Sequence, residues 1–139
     1  MPAPVPSPSG HTLPIVLVVD DDATIRETFR QYIAGSGYQA LEAGDVDEAL
    51  DLLILHPIKA VILDLRLPTR SGFELLGLLR QHEAFARIPA LVLTGYALTP
   101  DELDIARRHN AFVLYKPEHP DTLVRHLDRM TGRARTGSI

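Results

Sequence analysis

Apolar positions along the chain fall into two alternating textures. Short unbroken runs at 15–19, 60–63, 90–93 and 111–115 predict strands buried on both faces, and 38–42 predicts a weaker fifth strand. Segments with helical spacing lie between them. Ile25, Phe29, Tyr32 and Ile33 share one helical face, and the Gly35-Ser36-Gly37 cluster stops that helix. Val46, Ala49, Leu50 and Leu53 repeat the spacing, and Leu123, Leu127 and Met130 mark a final amphipathic helix. Helix starts are written just as locally. Asp45, Ser71 and Thr99 each stand three residues before a glutamate, the spacing of a capping box, and Pro100 occupies the first helical position after Thr99.

Five strand–helix pairs with continuously apolar strands predict a parallel sheet covered on both faces, and right-handed crossovers make it doubly wound. Ligands of such sheets sit outside the carboxyl ends of the strands, near the point where strand order reverses. The chain ends break the alternation. Pro2, Pro4, Pro6 and Pro8 with Ser7, Ser9 and Gly10 predict a disordered, proline-rich tail over residues 1–12. The polar, glycine-punctuated residues 132–139 predict a second flexible tail, which leaves one domain at 13–131.

Composition narrows the chemistry. With 139 residues the chain is long enough for one core, and with no cysteine it has neither disulfides nor thiolate metal sites. A net charge of −4 argues against nucleic acid as the direct partner. No apolar run reaches membrane-spanning length, and the first residues lack the basic start and apolar core of a signal peptide. The expectation is a cytoplasmic protein with no membrane partner.

The strand ends carry the polar groups. Asp20, Asp21 and Asp22 end the first run, Asp64 the third, Thr94 the fourth and Lys116 the fifth. Taken singly, each aspartate is as well explained as a helix cap, Thr94 as a strand former and Lys116-Pro117 as a loop. Taken together they place carboxylates, a hydroxyl and an ammonium on one edge of the sheet. Converging carboxylates repel by about 1 kcal/mol per pair at 4 Å in water, and about four times that at an effective dielectric of 20, so a cation between them is favoured. Oxygen-only ligands suit a hard ion, Mg²⁺ or Mn²⁺. A carboxylate nucleophile beside such an ion, a lysine and a hydroxyl fits phosphoryl transfer onto an aspartate.

The stretches V-L-V-V-D-D-D-A-T-I-R, V-I-L-D-L-R-L-P-T-R-S-G-F-E-L-L, A-L-V-L-T-G-Y-A and L-Y-K-P resemble the receiver domain of two-component response regulators, in order, over about residues 13–131. The resemblance implies a flavodoxin-like three-layer sandwich with strand order 2-1-3-4-5. It implies that Asp64 is the phosphoacceptor, fed by a histidine of a sensor kinase or a phosphotransfer protein. Asp20 and Asp21 become the acidic pair around Mg²⁺, which also takes Asp64 and the Arg66 main-chain carbonyl. Thr94 becomes the switch hydroxyl, the Gly95 amide a phosphoryl contact and Lys116 the phosphoryl's cationic partner, with Lys116-Pro117 a candidate cis peptide. Asp22 is assigned to the helix start.

Two features depart from the family pattern. The family's usual aromatic three positions before the lysine is replaced by Val113, and strand parity offers Tyr115 as an aromatic on the same side. Ser71-Gly72 stands where the family often has Asp-Gly. Arg66 and Tyr96 stand two residues after Asp64 and Thr94, where either their bulk and charge screen a phosphoryl group from water or both are solvated rim residues. The reading expected is a stand-alone, phosphorylation-activated switch with a protein as its output, and not an enzyme. The alternatives are a receiver cut from a longer hybrid kinase or regulator, an inert pseudo-receiver, and an aspartate-nucleophile phosphatase. The last lacks the second aspartate, because Arg66 stands in that place.

Overall fold

The computed structural model describes residues 13–67, 70–115 and 119–133. The chain runs β1 (Ile15–Val19), α1 (Ala23–Gly35), β2 (Gln39–Ala43), α2 (Val46–Leu55), β3 (Ile58–Leu63), α3 (Gly72–Gln81), β4 (Ala90–Thr94), α4 (Pro100–Arg108), β5 (Ala111–Tyr115) and α5 (Pro120–Thr131). All strands are parallel, in the order β2-β1-β3-β4-β5. The order reverses between β1 and β3, so the expected doubly wound, three-layer architecture is present.

Strand parity divides the core into two layers. Leu17, Val19, Val61, Leu63 and Val92 face α2 and α3, whereas Val16, Val18, Ile62, Leu91 and Leu93 face α1 and α5. Burial on both faces explains why these strands are apolar at every position.

The caps follow the local code closely. Asp22 accepts from the Thr24 and Ile25 amides at 3.0 and 3.2 Å, and Asp45 accepts from the Glu48 amide at 2.8 Å. Thr99 and Glu102 form a complete capping box. Ser71 caps α3 through the Phe73 amide instead, because the Glu74 carboxylate is drawn to Arg70 at 2.7 Å.

Several boundaries differ from the sequence expectation, since β3 begins at Ile58 rather than Ala60 and β4 includes Thr94. β2 begins at Gln39 rather than Tyr38, because Tyr38 is buried in the α1–α5 layer and its hydroxyl donates to the Asp128 carboxylate. The folded chain also continues past residue 131. Gly132 adopts a left-handed conformation (φ 70°) that closes α5, and Arg133 turns back to donate to the Gly37 carbonyl and lie over the Tyr38 ring. The proline-rich segment 1–12 and residues 134–139 lie outside the described residues.

Tyr38 makes the fold sensitive to alkali. Burial first, then the hydrogen bond to Asp128, raises the phenol pKa above its ordinary value. A raised pKa contributes stability that is complete below about pH 10 and is lost as pH climbs through the folded-state value. Tyr38→Phe is expected to flatten that alkaline loss while costing about 1–2 kcal/mol at neutral pH. Urea unfolding of both proteins at neutral and alkaline pH checks this, and an unchanged alkaline slope in the variant contradicts it.

Candidate functional site

The carboxyl ends of β1, β3 and β4 lie side by side, since β3 pairs with both neighbours. Asp20 follows β1, Asp64 follows β3 and Thr94 is the last residue of β4. Among the described residues, Asp20 (4 % exposed) and Thr94 (0 %) are the only buried polar or charged side chains. They stand on either side of the strand that ends in Asp64. Burial of a carboxylate and a hydroxyl is costly unless each has a polar task, so their placement at one edge points to a shared site.

Asp20 is held firmly. Its amide donates to the Ala43 carbonyl at 3.1 Å, its carboxylate accepts from the Asp22 amide at 3.0 Å, and its carbonyl accepts from Arg26 at 2.7 Å. Asp64 is placed by its amide, which donates to the Val19 carbonyl at 2.9 Å, and its carboxylate accepts from the Arg66 amide at 3.0 Å. Ligand oxygens of Asp20, Asp21 and Asp64 lie within 4.8 Å of one another, the one group of its kind among the described residues. Asp20 is buried, Asp64 half-buried and Asp21 exposed, which leaves an approach from solvent. Three hard oxygen donors, with no sulfur or imidazole among them, fit Mg²⁺ or Mn²⁺ and not a thiophilic metal. Asp22 takes no part in this trio, because it caps α1.

Thr94 turns its hydroxyl into the following turn, where it accepts from the Tyr96 amide at 3.3 Å and donates to the Tyr96 carbonyl at 3.4 Å. Gly95 is exposed immediately beside it. Tyr115 is the direct cross-strand neighbour of Thr94, and Val113 of Val92. Val113 packs against the α2–α3 layer, whereas Tyr115 on the sheet edge is 41 % exposed. The structure thus puts an aromatic beside Thr94 by register, at the position parity selected. Lys116 and the Lys116–Pro117 peptide lie outside the described residues.

Two features escape one-dimensional reading. The Arg66 guanidinium lies over the Tyr96 ring, 3.8 Å from its centroid, which joins the loops after β3 and β4. Gly72, the first residue of α3, is buried against the acceptor loop. A Cβ there would stand 2.5 Å from the Asp64 carbonyl oxygen and 2.8 Å from the Leu65 Cα. Sequence shows a glycine at a helix start but not the backbone pressed against it.

Known proteins share this fold. A family model for the response regulator receiver domain matches residues 16–128. The chain is 33 % identical over 87 residues to the polar-differentiation response regulator DivK of Brucella ovis, covering 63 % of this chain and 71 % of that one. It is 34 % identical over 110 residues to an uncharacterised 14.6 kDa protein of Leptolyngbya boryana, covering 79 % and 84 %. Among solved structures, the Vibrio cholerae chemotaxis protein CheY4 superposes with a TM-score of 0.80 at 29 % identity, covering 86 % of this chain and 99 % of that one. The signal receiver domain of a histidine kinase from Syntrophus aciditrophicus superposes at 0.78 with 26 % identity, covering 91 % and 96 %.

Proposed function

Because the chain belongs to the response regulator receiver domain family, we propose that it is a signalling switch that accepts a phosphoryl group on Asp64. The observation that carries this reading is the placement of the two buried polar side chains, Asp20 and Thr94, on the strands flanking Asp64. The donor is a phosphohistidine of a sensor kinase or phosphotransfer protein. A carboxylate oxygen of Asp64 attacks phosphorus, the P–N bond breaks, and its electron pair stays on the departing imidazole nitrogen as a P–O bond forms.

Mg²⁺ or Mn²⁺ held by Asp20, Asp21, Asp64 and the Arg66 carbonyl would neutralise charge on the phosphoryl oxygens. Asp64 supplies the nucleophile, and the Gly95 amide and the sequence-assigned Lys116 receive the phosphoryl oxygens. The Thr94 hydroxyl leaves its local turn to join them. That exchange gives the switch its two states, because the Tyr96 backbone and the β4–α4 loop lose a partner when Thr94 turns. Output is a protein contact through α4, β5 and α5, where Phe112 and Tyr115 are exposed on the edge strand. The same chemistry serves a receiver inside a longer kinase, a reading favoured by the likeness to the Syntrophus aciditrophicus domain. The protein is an acceptor and not a turnover enzyme, since Arg66 occupies the place of a phosphatase's second aspartate.

Acetyl phosphate with Mg²⁺, followed by intact mass, tests the reading. One added phosphoryl group on the wild type supports it, and no addition sinks it.

We propose that the Arg66–Tyr96 stack, built from residues two positions after Asp64 and Thr94, sets the lifetime of the phosphorylated state by hindering the approach of water. An exposed stack of this kind contributes about 0.5–1 kcal/mol, which converts to a rate factor of about 2- to 5-fold. Arg66→Ala, Tyr96→Ala and the double variant are each expected to speed phosphoryl loss by a similar factor, because either truncation removes the whole stack. Following the mass of the phosphorylated protein after donor removal measures this, and an unchanged half-life in the double variant refutes it.

A further inference from the structure

Arg26 lies on α1, outside the acidic trio, yet its side chain reaches the backbone that carries that trio. Its side chain is 19 % exposed and its guanidinium bridges two groups. Nη1 donates to the Asp20 carbonyl at 2.7 Å, and Nε donates to the Glu42 carboxylate on β2 at 3.3 Å. Glu42 is in turn paired with Arg30 at 2.6 Å. A row of three alternating charges therefore ends on a single main-chain carbonyl.

That carbonyl belongs to the planar peptide linking Asp20 to Asp21. Holding it fixes the rotation of that plane, and with it the direction in which Asp21 leaves the strand. The Asp20 amide is already tied to β2 and its carboxylate to the Asp22 amide. Arg26 adds a constraint on the carbonyl itself. Asp21 is exposed and follows a strand end, so nothing in the core orients it instead. The neighbouring backbone leaves room for the arrangement. A Cβ at Gly44 would stand 3.2 Å from Arg26 Nη1 and 3.3 Å from the Glu48 carboxylate, tighter than ordinary contact.

We infer that Arg26 is a positioning residue for the divalent-cation site, acting by locking the Asp20–Asp21 peptide, an inference that rests on the metal-site reading above. Geometry and charge make opposite predictions for its removal. A guanidinium near a cation site repels the cation, so its loss through charge alone tightens binding. Loss of the peptide lock loosens binding. Glu42 neutralises much of the guanidinium's field, so the geometric effect wins.

Manganese titration of the full chain, with free Mn²⁺ followed by electron paramagnetic resonance, tests this without any phosphorylation assay. Arg26→Ala is expected to weaken Mn²⁺ binding by about 10-fold, the scale on which outer partners of metal ligands act. Arg26→Lys, which keeps one donor for the carbonyl, is expected to fall between. Gly44→Ala changes no charge and no ligand but displaces the guanidinium, and is expected to weaken binding by a few-fold while the chain remains folded by circular dichroism. This second variant keeps the test open should Arg26→Ala unfold. Unchanged or tighter binding in Arg26→Ala, or unchanged binding in a folded Gly44→Ala, overturns the inference. Absence of Mn²⁺ binding by the wild type would instead overturn the metal-site reading itself.

Discussion

Asp64→Asn is expected to take up no phosphoryl group from acetyl phosphate and Mg²⁺ under conditions that load the wild type, and to become more stable in metal-free buffer. The first effect follows from chemistry. The amide keeps the shape of the side chain and an acceptor for the Arg66 amide, but it is a neutral, poor nucleophile. The second follows from the ligand oxygens of the trio all lying within 4.8 Å of one another. At that distance each carboxylate pair repels by about 0.9 kcal/mol in water and about 3.5 kcal/mol at an effective dielectric of 20. Asp21 is exposed and Asp64 half-buried, so the lower figure applies, and removing the Asp64 charge, which relieves two of the three pairs, should raise stability by about 2 kcal/mol.

Added Mg²⁺ should then stabilise the wild type and stabilise the variant less, because a ligand has been lost. Intact mass and urea unfolding with and without Mg²⁺ measure both effects. Phosphoryl uptake that persists in Asp64→Asn would move the acceptor elsewhere. A variant less stable than the wild type without metal would show that the carboxylate is held by more attraction than repulsion.

Gly72→Ala is the second large effect, and it sets two magnitudes against each other. Replacing glycine by alanine in a helix gains up to about 1 kcal/mol. At Gly72 the new Cβ would stand 2.5 Å from the Asp64 carbonyl oxygen, 2.6 Å from the Leu63 Cδ1 and 2.8 Å from the Leu65 Cα. Two of these are main-chain atoms of the acceptor loop, and main chain held between β3 and α3 does not give way cheaply. Overpacking of this kind costs roughly 3 kcal/mol, so destabilisation wins, and the displaced loop should also slow phosphoryl uptake at Asp64.

Gly77, five residues on in the same helix, is the matched control, because nothing lies within 4 Å of a Cβ built there. Gly77→Ala is expected to stabilise by about 0.5–1 kcal/mol. Urea unfolding of the pair decides the matter. Equal effects at the two positions would mean that the close approach at Gly72 relaxes freely.

The elements of this fold were legible because their signals are local. An apolar run of five residues, a capping side chain, a proline at the first helical position or a glycine after the last one each acts within a few residues of itself. The chemistry of the edge was legible for a related reason. A buried strand must be apolar to its end, so the first polar residue after it, Asp20, Asp64 or Thr94, is delivered to the sheet edge by the strand itself. Within the Asp20-Asp21-Asp22 run even the division of labour followed from position, since the residue next to the helix caps it.

What the tertiary structure alone decided concerns contacts between segments far apart in the chain, for which no local signal exists. Tyr38 left the strand predicted for it because Asp128, on α5, offered its hydroxyl a half-buried partner. Arg133 joined the fold through Gly37 and Tyr38 in the same way. Arg66 meets Tyr96, Gly72 meets the Asp64 carbonyl, and Arg26 reaches from α1 to the Asp20 peptide and to Glu42 on β2. A sequence specifies which groups an edge receives, because strand ends are a one-dimensional property. How firmly those groups are held, screened and aimed depends on packing distances, and those exist only once the layers have closed on one another.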